Sequence, residues 1–205
     1  MNLGTAVPAR PRTDQAMGGA RTDIASAVAD RALVAAAQAD PQAFALLYRR
    51  YVTPLYQYLY HRVGNREEAE DLTASAFDKA LASLDHYQEQ GSFAAWLFSI
   101  ARHTLHDQQR RRRPVVDVAA VAALLVDPAA SPEAQLVQAE DAFRLHDLIQ
   151  QLPPDQQEAV MLRYFSGLHT ADIAIVLGRS DGAVRALLHR ALLALRDGYR
   201  GEARP

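Results

Sequence analysis

Arg185 and His189 stand one helical turn apart, with Arg190 beside them, in the segment Ser180-Asp-Gly-Ala-Val-Arg-Ala-Leu-Leu-His-Arg190. An arginine can pair bidentately with guanine, and a histidine one turn on can reach a phosphate or a base edge. A second set, Arg102, His103, Asp107, Arg110 and Arg111, lies in and beside the run Arg110-Arg-Arg-Arg113. Arginines suit the C-terminal end of a helix dipole, but four in succession exceed what capping needs and point to phosphate binding. His103, His106 and Asp107 fall at helical spacing and invite a metal-site reading. No matching ligand cluster accompanies them elsewhere in the sequence, and the chain has no cysteine, so the reading is a binding protein rather than an enzyme, without metal or cofactor.

The elements that must present these residues follow from periodicity. Thr170 is a candidate N-cap for a short helix carrying Ile173, Ala174 and Leu177. Gly178 can take the left-handed conformation that ends it, and Ser180 can cap a second helix. Val184, Leu187, Leu188, Ala191, Leu192 and Leu195 then form one apolar stripe. Asp181, Arg185, His189 and Arg196 lie off that stripe. The pattern is a helix-turn-helix whose second helix enters the major groove; the alternative is an ordinary helical hairpin in a bundle.

The remainder reads as helical throughout. The chain of 205 residues is rich in Ala, Leu, Gln and Arg, with little strand-like alternation. Its net charge of −2 is not the bulk signature of a nucleic-acid binder, but the basic residues are clustered and binding depends on the local field. No apolar run approaches the ~20 residues needed to span a bilayer, and no apolar core follows Arg10, Arg12 and Arg21, so a soluble cytoplasmic protein is expected. The expected class is all-α: two small helical domains joined by a flexible linker, the second containing the helix-turn-helix.

In order, 1–22 reads as a disordered tail, 23–113 as the first domain, 114–131 as an Ala- and Val-rich linker, 132–198 as the second domain and 199–205 as a short tail. Asp40-Pro41 restarts a helix, and Pro54 is expected to kink or divide it. Gly64-Asn65 breaks before Glu67 and Glu68 open the next helix, and Asp85–Gly91 is a polar loop. Ser92 can cap a helix with Phe93, Trp96, Leu97, Ile100 and Leu105 on one face. Ser131-Pro132-Glu133 opens a further helix, Pro153-Pro154 breaks it, and Ser166-Gly167 ends the next. The tyrosines and Phe44 recur three and four apart, which favours core packing over base stacking.

Two helical units, each with a basic element, resemble the bacterial extracytoplasmic-function class of RNA polymerase sigma factors. The resembling segments are Asp40-Pro-Gln-Ala-Phe-Ala-Leu-Leu-Tyr48, Glu68-Ala-Glu-Asp-Leu72 with Phe77, Gly91-Ser-Phe-Ala-Ala-Trp-Leu97, and Ile100-Ala-Arg102 with Asp107. In the second unit they are Leu152-Pro-Pro-Asp-Gln-Gln-Glu-Ala-Val160 and the helix-turn-helix through Arg196. The resemblance implies a factor that binds core RNA polymerase and directs it to promoter DNA, and it admits an anti-sigma factor as a further partner. It implies no membrane insertion and no small-molecule substrate.

By the resemblance, Asp71, Leu72 and Phe77 meet polymerase, and the loop with His86, Tyr87 and Gln88 receives a flipped minus-ten base. Arg102, His103, Asp107, Arg110 and Arg111 complete the minus-ten set. Thr170, Ser180, Asp181, Arg185, His189 and Arg190 form the minus-thirty-five set. The chain departs from the family pattern at Ala74, Ser75 and His103. A response-regulator-type activator would explain the C-terminal helices but not the Trp96 helix and its arginines, and it would need alternating strands. A sigma-like polymerase adaptor that does not read promoters is a further alternative.

Overall fold

The computed structural model describes residues 29–88, 91–109, 141 and 144–202, and these are helical with connecting turns. The expected tail 1–22 and linker 114–131, the helix start at Ser131, and Arg110 and Arg111 lie outside the described residues.

The first unit is built from four helices, each stopped by a local signal. Helix α1 spans 29–39 and ends at Asp40, whose extended backbone lets its carboxylate accept the Gln42 amide at 2.9 Å. A single turn, Pro41–Ala43, leads into α2, Phe44–Val63. Gly64, at φ 62°, closes α2 in the left-handed conformation, and Asn65 caps α3 by accepting the Glu68 amide at 2.9 Å. Helix α3 runs Arg66–Ser83 and passes into a turn at Leu84–His86. The Ser92 hydroxyl accepts the Ala95 amide at 3.0 Å and starts α4, Phe93–Gln109.

Pro54 does not divide α2, which continues through all 20 residues. A proline inside a helix costs about 3 kcal/mol through a lost hydrogen bond and a steric clash. Tyr51, Leu55, Tyr58 and Leu59 are buried around it, and each such side chain contributes about 1.5–3 kcal/mol on burial. Packing therefore outweighs the local penalty. Tyr51, Tyr58 and Tyr60 take core roles, as their spacing predicts, with Tyr51 against Phe93 and Tyr58 against Phe98, whereas Tyr48 lies on Phe77 and is 44% exposed.

Among the described residues of the second unit, 144–150 form a helix, α5. Pro153 and Pro154 open α6, Pro154–Val160, which widens into a π turn at Met161–Phe165. The Ser166 amide closes that wider turn on the Met161 carbonyl at 3.1 Å. Helix α7 spans Thr170–Leu177, Gly178 follows at φ 63°, and α8 runs Asp181–Glu202. Ser180 caps α8 by accepting the Ala183 amide at 3.2 Å. Thr170 is not the N-cap of α7: His169 holds the extended cap position, and Thr170 is the first helical residue.

The two units share one buried core. Ile149, Leu162, Leu168, Ile173 and Val184 join Leu47, Leu59, Leu97 and Leu105 in a continuous cluster. Helix α7 lies on α4, and the π turn after α6 lies on α2.

Candidate nucleic-acid interface

The helix-turn-helix is positioned by its inward stripe. Val184, Leu187 and Ala191 are buried against α6 and α7, and Leu188 and Leu195 flank them half-buried. Leu192, one turn beyond, is exposed, because the sequence stripe is wider than the face that α8 buries. The opposite face carries Arg185, His189 and Arg190, all exposed. The Arg185 side chain is 72% exposed and ion-paired with Asp181 one turn earlier. A surface pair of this kind is worth about 0–1 kcal/mol, so a phosphate or guanine can displace Asp181 at little cost. The Ser180 oxygen is engaged in the cap, and Thr170 is half-buried at the start of α7.

Where the two units meet, His86, Tyr87 and Gln88 line a cleft of about 310 Å³ with Ser92, Trp96, Ser99 and Ile175. His86 and Gln88 are exposed, while the Tyr87 ring packs 4.9 Å from Trp96 and 5.9 Å from Phe93. Aromatic walls of this kind offer π faces on which a base can stack.

Three placements bear on the expected grouping. Leu72 and Phe77 are 1% and 4% exposed, so they fix α3 in the core and leave Asp71 as the exposed member of the polymerase set. Asp107 faces α3 and lines a groove with Glu67, Glu68, Asp71 and Lys79, because α3 and α4 pack side by side. Four of the five charged residues of that groove are carboxylates, which disfavours phosphate beside Asp107. Arg102 is half-buried and turns toward Glu158 of α6, 3.9 Å away, instead of facing solvent. His103 is exposed on α4, as expected.

Sequence reasoning missed Glu158. Its carboxylate is buried between the units, where it accepts the Tyr58 hydroxyl and pairs with Arg62 at 2.8 Å. Burial and the adjacent carboxylate raise the Tyr58 hydroxyl pKa well above its ordinary value. The available signal was a carboxylate among the apolar residues Ala159, Val160 and Leu162, a position that demands partners. His61 and His146 line a second interunit cleft of about 280 Å³ with Arg62 and Phe165. Burial, reinforced by His146, holds His61 down to about 4. Among the described residues no group of three or more His, Asp or Glu could hold a metal ion. No helix among them is long and apolar enough to cross a membrane.

Residues 47–115 match the family model described as Sigma-70 region 2, and residues 142–195 match that for Sigma-70, region 4. The RNA polymerase sigma-H factor of Pseudomonas aeruginosa is 34% identical over 76% of this chain and 86% of its own length. The chain belongs to the ECF RNA polymerase sigma factors. The ECF RNA polymerase sigma-E factor of Haemophilus influenzae is 32% identical over 82% of the chain and 94% of its own length. ECF RNA polymerase sigma factor BldN of Streptomyces coelicolor is 37% identical over 80% of the chain, which spans 63% of that relative. Among solved structures, CnrH in complex with the cytosolic domain of CnrY aligns with a TM-score of 0.64 at 26% identity, covering 85% of this chain and 99% of CnrH. The sigma factor RpoE from Bartonella quintana, at 23% identity and a TM-score of 0.58 over 77% of this chain and 96% of its own, shares the fold. The helices α2–α4 thus belong to the region-two part of the ECF sigma factor, and α6–α8 to its region-four part.

Proposed function

We propose that the chain binds core RNA polymerase and directs it to promoters, with the region-two unit engaging the minus-ten element and the region-four unit reading the minus-thirty-five element. The observation that carries this is α8, a helix seated by Val184, Leu187 and Ala191 that turns Arg185, His189 and Arg190 outward. Such a helix presents donors to the major groove at its N-terminal half. The aromatic cleft at Tyr87 and Trp96 supports capture of an extruded minus-ten base, with His86 and Gln88 at its rim. Arg110 and Arg111 supply phosphate contacts in this reading, and Arg102 joins them when released from Glu158. The acidic groove with Asp71 and Asp107 supports a basic protein surface on polymerase.

The matched segments, 47–115 and 142–195, support functional units at 23–113 and 132–198 with a connection at 114–131. The factor acts by binding, without a catalytic centre of its own, and works in the cytoplasm where core polymerase is. Resemblance to CnrH, solved in complex with the cytosolic domain of CnrY, supports a protein partner for this chain, which in this reading is an anti-sigma factor. The test is a core-polymerase pull-down combined with run-off transcription. Retention on core together with promoter-dependent transcripts is expected. Retention on core without transcripts from any promoter would make the chain an adaptor.

A further inference from the structure

The turn of the helix-turn-helix carries an arginine at a position whose geometry favours an apolar side chain. Gly178, at φ 63°, ends α7 in the left-handed conformation, and the Arg179 amide donates back to the Ala174 carbonyl at 2.9 Å. In a helix end of this form, the residue after the glycine commonly packs an apolar side chain on the helix being closed. Arg179 instead sends its guanidinium across to Asp155, in the first turn of α6. The two side chains are 42% and 56% exposed. An exposed pair of this kind shifts an equilibrium by no more than about fivefold, so it is not what fastens the turn. The buried Ile173, Val176 and Val184 on either side of it do that.

The pair does place a cation. Arg179 immediately precedes Ser180, whose hydroxyl caps α8, and the N-terminal part of such a helix is the part that lies in the major groove. Arg185 is six positions further on, roughly 9 Å at about 1.5 Å per residue. The groove is about 12 Å wide. With Arg185 against base edges, Arg179 therefore stands at the groove wall, where the phosphates are. Arg185 is held in the same manner, by Asp181 one turn before it. Each arginine thus keeps a carboxylate where a phosphate oxygen would sit.

We propose that Arg179 is a phosphate-contacting residue of the minus-thirty-five interface and that Asp155 is its competitor within the chain. Duplex DNA displaces Asp155 from Arg179, and the freed carboxylate then lies beside the phosphate backbone. That penalty falls on every duplex alike, so retention on DNA depends on the base contacts of Arg185 rather than on charge alone. The proposal rests on the sigma-factor reading above.

Holoenzyme assembled from core polymerase and the full chain is titrated onto a promoter duplex, with affinity measured across a salt series. Arg179→Ala should reduce the slope of log affinity against log salt by about one, and Arg179→Lys should restore it. Asp155→Ala should raise affinity about two- to fivefold at fixed salt. The preferred minus-thirty-five sequence should be the same for all three variants. A pair that only braces the turn predicts otherwise: Asp155→Ala and Arg179→Ala would weaken binding together, without a change of slope. An unchanged slope for Arg179→Ala, an Asp155→Ala variant no tighter than wild type, or an altered sequence preference would each overturn the proposal. Failure of the sigma-factor reading looks different, since wild-type holoenzyme would then show no preference for promoter over unrelated duplex. Both residues are exposed, so each variant should keep the wild-type circular dichroism and retention on core.

Discussion

Replacing Glu158 by alanine removes the acceptor that holds the two units together. The carboxylate is 5% exposed and serves the Tyr58 hydroxyl, Arg62 and Arg102. Removing one partner of a buried ion pair costs about 3–5 kcal/mol, because the remaining charge stays desolvated. The Arg62 and Arg102 side chains are not sealed, at 16% and 28% exposure, and can relax toward water. That places the expected loss near the lower end, about 3 kcal/mol. At about 2–4 °C for each kcal/mol in a chain of this size, Tm should fall by roughly 6–12 °C. Tyr58→Phe removes only one hydrogen bond to the carboxylate and should cost less, about 1.5–3 kcal/mol. Urea denaturation followed by circular dichroism measures both variants. A loss below about 1 kcal/mol for Glu158→Ala, or a larger loss for Tyr58→Phe, would show that this cluster does not bind the units as described.

Stability should also fall with acid. His61 is held down to about 4 against an ordinary 6.5, so between those values the unfolded chain binds the extra proton. The contribution is complete above pH 6.5 and is lost as pH falls toward 4, on the order of 3 kcal/mol. Denaturation midpoints of the wild type and His61→Asn at pH 7 and pH 5 check it; the same acid loss in both would remove His61 as the cause. Arg185→Ala should weaken preference at one or two minus-thirty-five positions by about 1–3 kcal/mol with helix content unchanged. Transcription from a randomised minus-thirty-five library reads this, and an unaltered profile excludes Arg185 from base reading. Val184→Asp buries a charge in the helix-turn-helix core and should unfold the region-four unit, seen as lost ellipticity. Arg110→Ala with Arg111→Ala should reduce the salt dependence of promoter opening by about two in slope while core binding survives. Collapse of core binding would instead assign these arginines to polymerase.

Local features were legible where a few neighbouring residues decide the outcome. Asp40 before Pro41, Asn65 after Gly64, and Ser180 after Gly178 each set a helix boundary that the coordinates reproduce. The outward face of α8 was legible for the same reason: Val184, Leu187 and Ala191 fix which side is buried. Pro54 shows the limit of local rules, since the residues that keep α2 continuous are packed by α3 and α4 rather than by neighbours in sequence. Asp107 lines a groove completed by Glu67, Glu68 and Asp71 of α3, a neighbourhood that spacing along α4 does not encode. Glu158 depends on Tyr58, a hundred positions away, and no helical periodicity encodes that pairing. The contact between Ile175 and Gly91 is of the same kind: both residues look ordinary within their own segments.

Transcription by the purified full-length chain with core RNA polymerase, on a template library randomised at both promoter elements, tests the central claim most directly. Sequencing the transcripts should recover a defined minus-ten and a defined minus-thirty-five motif at a fixed spacing, absent with core polymerase alone. Transcripts no more sequence-selective than those of core alone would contradict it.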